Sequence, residues 1–370
     1  MVATDHHKPI FRNLDGIRFI AFLCVFFSHT FYSQDPATGK STLYQSVNFL
    51  LGQWGDFGLS VFFVMSGFLI TYLLMCERQA TGRVHVFSFY ARRILRIWPL
   101  YFAIVLFNFF LYAPLAKHQE LTQHQMPYYF FWANMDTVAH GFSGGVIDHL
   151  WAISVEEQFY FVLPLIMLVA PDRRLNYVFI AVIAIASIFR IAHYLEPHMI
   201  FYHSISASFD IAIGGLAAWL MFFKSKAKEF VAQLSSTTIA VTYTAFGFLI
   251  LFQRNIFDSS QLIVFVLIAQ LFALFIIVEQ NYATHSLMKL GETKWVSDLG
   301  KYSYGFFCYH IVCIRVIEGI IANLNMTGPI TTTLLIPFAG LALTIGVGVV
   351  SYRLFETPFL NLKKRFSYLN

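Results

Sequence analysis

The chain has 370 residues, 58% of them hydrophobic and 12% charged, with a mean hydropathy of +0.63 and a net charge of +5. That apolar excess is too large for one water-soluble core and excludes a disordered chain. Four cysteines exclude a disulfide scaffold, and a small charge spread over short loops argues against nucleic acid as a partner. A polytopic membrane protein remains.

A spanning helix needs about 20 largely apolar residues. Ten such stretches can be read, at roughly 17–33, 58–76, 98–115, 150–170, 175–193, 205–223, 236–253, 260–279, 300–321 and 330–352, separated by charges, proline or glycine. Alternating barrel strands are absent, so the expected fold is an all-α membrane bundle of about ten helices. With the N-terminus placed in the cytoplasm, only Lys40, Lys117, Arg190, Arg254 and Arg315 of the 25 basic residues fall on the outer half. This bias predicts both termini inside and a multi-pass protein of the cytoplasmic (inner) membrane. The N-terminal apolar run contains Asp15, Arg18 and His29 and lacks a convincing cleavage site, so it is read as a retained first helix. Residues 1–370 are expected to form a single membrane domain.

Ionisable groups inside a bilayer cost about 2.5–3.5 kcal/mol or more each and mark candidate sites. In the first stretch Arg18 and His29 are eleven residues apart, which on a helix is three turns plus about 20°, or about 16 Å of rise. A guanidinium near the inner rim is thus in line with a deeper imidazole. His29 alone could equally be a packing histidine; the register with Arg18 points to function. Ser66-Gly67 in the second stretch reads as close helix packing. The loop Phe89 to Pro99 carries Arg92, Arg93 and Arg96, and its guanidinium forks suit phosphate oxygens, though every inside loop is basic. His149 to Tyr160 places Glu156 and Glu157 about two turns into a membrane helix, where one must face a partner or a cavity. A pairing that merely holds helices together is the plain alternative. Asp210 and His310 are weak signals by themselves. The long outer connection 116–149 contains the aromatic run Pro127 to Trp132, read as an interfacial belt or re-entrant piece. Cys24, Cys76, Cys308 and Cys313 lie in apolar stretches without metal spacing, and no metal is expected.

Together these segments resemble the acyltransferase-3 family of integral membrane O-acyltransferases. The likeness runs over about residues 10 to 360. It rests on Leu14-Asp15-Gly16-Ile17-Arg18 with His29, on Gly58 to Ile70, on Arg92-Arg93-x-x-Arg96-Ile97-x-Pro99, on Ser154-Val155-Glu156-Glu157-Gln158-Phe159-Tyr160, on Tyr302-Ser303-Tyr304 with His310, and on Phe355-Glu356-Thr357-Pro358. The resemblance implies transfer of an acyl group, commonly acetyl, from acetyl-CoA in the cytoplasm to a hydroxyl of a surface carbohydrate: a polysaccharide, lipopolysaccharide or glycolipid. It also implies that Arg18, His29, Arg93 and Arg96 are the functional positions. His29 is then the general base, Arg92, Arg93 and Arg96 hold the donor's phosphates, and Glu156 or Glu157 orients His29 or contacts the sugar. Two departures are visible. Gly58-Leu59-Ser60 lacks the Asp that many relatives have there, leaving Asp56 as a substitute, and the hydrolase-like domain that many relatives carry after the last stretch is not expected here. A secondary transporter or an acyl carrier with a proton relay is the rival reading; inverted repeats that would favour a transporter are not found.

Overall fold

The computed structural model describes residues 11, 13–31, 36–116, 124–256, 261–287, 289–326 and 328–367. Ten longer helices organise it: α1 (Asn13–Thr30), α2 (Gly55–Thr81), α3 (Val86–Phe107), α4 (Trp151–Val169), α5 (Leu175–Ala192), α6 (Ser204–Phe223), α7 (Ser236–Leu251), α8 (Leu262–Tyr282), α9 (Ser303–Asn323) and α10 (Ile336–Ser351). There is no strand among the described residues. Phe161, Leu168, Tyr177, Ile180, Ile188 and Ile191 point outward from α4 and α5. Such an apolar exterior is stable only against lipid. The protein is a polytopic membrane helix bundle.

Eight of the ten expected spans are long and apolar enough to cross a membrane, and α7 makes a ninth when joined to the helix Ser225–Ala232, from which it is bent by 86°. α1 is not among them. It carries Asp15, Arg18 and His29 in eighteen residues. Its place is secured by protein contacts, because Leu14, Ile17, Ala21, Phe22, Val25 and Phe26 are all buried.

α2 lies at the centre, packed by α1, α4, α6 and α8. Small residues set these crossings, as they do where no hydrophobic force separates helices from lipid. A methyl group on Gly67 would run into the Ile211 carbonyl of α6, and one on Gly58 would come within 2.6 Å of the Ala21 oxygen of α1. The start of α1 is pinned by Asn13, whose Oδ1 accepts from the Gly291 amide at 2.8 Å.

One end of the bundle is basic. There Arg78 pairs with Asp172 at 2.6 Å, and Arg92 reaches both Glu77 at 2.6 Å and the Phe366 carbonyl at 2.7 Å. At the opposite end the chain between α3 and α4 forms short helices, Gln125–Tyr129 and Ala133–His140. The aromatic run folds back here instead of forming a belt of uniform exposure. Phe131, at φ 53, packs its ring 4.6 Å from Tyr101, while Phe130 and Trp132 remain exposed.

Candidate functional site

A cavity of about 520 Å³ opens among α1, α2, α3, α4 and α9. Its lining holds six cations (Arg18, Arg92, Arg93, Arg96, Lys363 and Lys364) against three carboxylates (Asp15, Glu77 and Glu156). The excess of positive charge suits an anionic ligand. The lining also changes character along its length. The end beside Arg92, Lys363 and Glu77 is ionic, whereas Leu59, Phe62, Phe63, Ile153 and Phe307 are apolar.

The arginines differ in what already occupies them. Arg92 is committed to Glu77 and to the Phe366 carbonyl, so it ties the C-terminal segment down at the rim. Arg18 is paired with Asp15 at 2.6 Å, one turn earlier on α1. Arg93 stacks its guanidinium over the rings of Phe89 and Tyr160, at 5.5 and 5.4 Å, and its Nε is buried without a hydrogen-bond partner. Arg96 has neither a hydrogen bond nor an ion pair among the described residues. Arg93 and Arg96 are therefore the guanidinium groups with most capacity left for an incoming anion.

Glu156 and Glu157 part company. Glu156 faces the cavity, where its Oε1 accepts a 2.5 Å hydrogen bond from Ser66, which in turn accepts from the Tyr160 hydroxyl at 3.0 Å. The Ser66-Gly67 pair thus serves two ends, because Gly67 allows the close approach to α6 while Ser66 turns to the carboxylate. Glu157 is not in the lining. Its Oε2 accepts from the Trp98 indole at 2.9 Å, and its Oε1 is buried without a partner.

His29 is not in the lining either. Phe307 of the lining leads toward it through His310. Phe62 and Phe307 meet edge to face at 6.0 Å, and Phe307, which lines the cavity, also lies 5.7 Å from the His310 ring and 5.2 Å from that of His149. Beyond this pair is a cluster of three imidazoles. His29 Nδ1 is 2.9 Å from His310 Nε2, and the His149 ring is 4.6 Å from His310. Neither nitrogen of the buried His149 has a partner. His310 is fully buried among Phe22, Phe26 and Phe307, whereas the His29 side chain is exposed.

The hydrogen-bond pattern assigns the tautomers. His310 Nδ1 lies 2.7 Å from the Phe307 carbonyl, which can only accept, so Nδ1 carries the proton. In the neutral ring Nε2 is then a bare acceptor, and His29 must donate to it from Nδ1. His29 Nε2 is left with its lone pair free of a partner among the described residues, near the end of α1 away from Arg18. An imidazole held through one nitrogen with the other open is the arrangement a general base needs.

Of the residues singled out in the sequence, the fold therefore gathers Arg18, Arg92, Arg93, Arg96 and Glu156 around one cavity. It places His29 outside that lining, against His310, and Glu157 beside Trp98. Sequence reading took Ser66 for helix packing, named Tyr160 only as the end of a motif, did not single out Phe62 or Phe307, and gave His310 little weight. The His310 signal lay in its position, a single histidine in an apolar stretch, but its partner is 281 residues away.

The acyltransferase domain model of the acyltransferase-3 family matches residues 11–353. A peptidoglycan O-acetyltransferase of Listeria monocytogenes is 23% identical over 400 residues, covering 99% of this chain and 59% of that protein. A Staphylococcus aureus protein provisionally named an O-acetyltransferase is 25% identical and covers 94% of this chain and 56% of its own length. A Bacillus subtilis protein provisionally named a peptidoglycan O-acetyltransferase is 24% identical over 83% of this chain. The chain spans a little over half the length of the first two of these relatives. No solved structure matches it. With nearly the whole bundle covered by the model, the chain belongs to the acyltransferase-3 family.

Proposed function

We infer that this protein is a membrane O-acyltransferase that moves an acyl group, acetyl by preference, from a coenzyme A thioester to a hydroxyl of a cell-surface carbohydrate. The observation that carries the reading is the polarity of the site. A cation-rich cavity with an apolar far end adjoins, through Phe307 and His310, an exposed imidazole, that of His29. The relatives' names supply the direction, acetyl to the oxygen of a cell-wall glycan. The basic end is proposed to face the cytoplasm of the inner membrane, where positive loops are retained.

The donor's phosphates sit against Arg93 and Arg96, with Arg18 further in, and Arg92 keeps the rim closed by its tie to Phe366. The pantetheine arm lies along the apolar part of the cavity and brings the thioester to Phe62 and Phe307. These rings must part for the carbonyl to meet the acceptor. On the other side, His29 Nε2 takes the proton of the acceptor hydroxyl while its oxygen forms a bond to the acyl carbon. The tetrahedral intermediate collapses by breaking the C–S bond, and the proton on His29 passes to the departing thiolate. His310 holds the ring and its tautomer throughout. Excluding water from the thioester, the role assigned to Phe62 and Phe307, prevents hydrolysis.

The test is the purified chain in proteoliposomes with acetyl-labelled coenzyme A and an oligosaccharide acceptor. Labelled glycan ester is expected from the parent chain and not from His29→Ala. Label crossing the membrane without ester formation would overturn the transferase reading in favour of a carrier.

A further inference from the structure

The end of the bundle opposite the basic one carries a second cluster, separate from the cavity and from His29. His124 immediately precedes the helix Gln125–Tyr129, and Asp136 and His140 stand one turn apart on the helix Ala133–His140. The two histidines converge on one atom. Nδ1 of His124 is 2.9 Å and Nδ1 of His140 is 3.0 Å from the same oxygen, Asp136 Oδ1. The three donor atoms lie within 4.8 Å of one another, and the two rings are 4.5 Å apart.

Charge is what this arrangement lacks. The Asp136 side chain is only 14% exposed, and no Lys or Arg pairs with it among the described residues. Neutral imidazoles can donate hydrogen bonds to the carboxylate but cannot offset its charge, and a poorly hydrated carboxylate is costly without a cation. A divalent metal supplies that cation. Two imidazole nitrogens and one carboxylate oxygen are a borderline-soft donor set that suits zinc, with the fourth tetrahedral position left for water. Binding through Nδ1 leaves each Nε2–H turned toward solvent, in agreement with side chains that are 40% and 57% exposed.

We propose that His124, Asp136 and His140 form a zinc-binding site that clips the two short helices of the α3–α4 connection together. The clip has a defined position relative to the rest of the fold. Asn134, on the same helix as Asp136, donates to the Tyr202 carbonyl at 3.0 Å and to Ser204 at 2.9 Å. Gln158 of α4 donates to the Phe131 carbonyl at 2.8 Å. The bound metal therefore stiffens a connection already anchored on α4 and α6, one that runs on into His149. Sequence spacing gives no sign of the site, since His124 and Asp136 are twelve residues apart, one before the first short helix and the other within the second.

This proposal stands independently of acyl transfer, and its test reads metal alone. The full chain, purified in detergent without a polyhistidine tag and stripped with chelator, is titrated with zinc chloride by calorimetry. Cobalt absorption serves as a check on geometry. One equivalent is expected to bind, and to raise the unfolding temperature of the parent. His124→Ala and His140→Ala change exposed side chains, so each should unfold like the metal-free parent while binding zinc at least about tenfold more weakly. Asp136→Asn should lose both the binding and the zinc-dependent rise. A parent chain that takes up no equivalent, or alanine variants that bind with parental affinity, would overturn the site.

Discussion

His310 is not among the residues that line the cavity, yet its replacement should cut turnover. In His310→Leu the acceptor for the His29 Nδ1–H disappears, and that proton is left facing the apolar side chain that replaces it. An unsatisfied buried donor costs about 1–3 kcal/mol. The His29 ring escapes this cost by rotating or by moving its proton to Nε2, and either change removes the free lone pair. At about 1.4 kcal/mol per decade, the competent fraction falls roughly five- to 150-fold. Deleting the base itself, in His29→Ala, should cost more, about 10²–10⁴-fold. His310→Gln offers an amide oxygen at a similar reach and should recover most of the loss, which a merely space-filling role for His310 would not allow. The assay is acetyl transfer to an oligosaccharide in proteoliposomes, at saturating donor, normalised to the amount of folded protein. The KM for the donor should be unchanged, because His310 is not in the cavity lining. Parental turnover in His310→Leu, or a defect confined to the donor KM, would refute the reasoning.

Arg96→Ala removes an uncommitted guanidinium from the cavity, so the KM for coenzyme A thioester should rise by about one to two decades with kcat largely kept, and added salt should narrow the difference; steady-state kinetics at two ionic strengths measure this. Phe307→Ala removes half of the aromatic barrier, and donor hydrolysis in the absence of acceptor should increase several-fold by thiol-release assay. A donor turnover rate equal to the parent's would show that the pair is not a barrier. Gly67→Ala forces a methyl group against the Ile211 backbone and should destabilise the α2–α6 crossing by about 1–3 kcal/mol, read as a lower unfolding temperature in detergent.

The sequence alone determined the class of the fold and singled out several of the residues that line the cavity, for a physical reason. Hydropathy and charge act on each stretch separately, so runs of Phe, Leu and Ile announce spans, and Arg92, Arg93, Arg96 and Glu156 stand out as groups too polar for lipid. Periodicity within one helix is equally local: it set Arg18 and His29 in line on α1, about three turns apart, yet of the two only Arg18 lines the cavity. The count of spans was less secure at α1, whose charges make it the least apolar of the ten; burial against its neighbours, which hydropathy does not measure, holds it in the bundle. Only the tertiary structure decided how the site is divided. Adjacent carboxylates point in different directions on a helix, so Glu156 met Ser66 and the cavity while Glu157 met Trp98. Contacts between distant segments joined His29 to His310, set Phe62 against Phe307, and brought His124 to Asp136. Each depends on which helices pack together and at what height, and no single stretch of the chain contains that information.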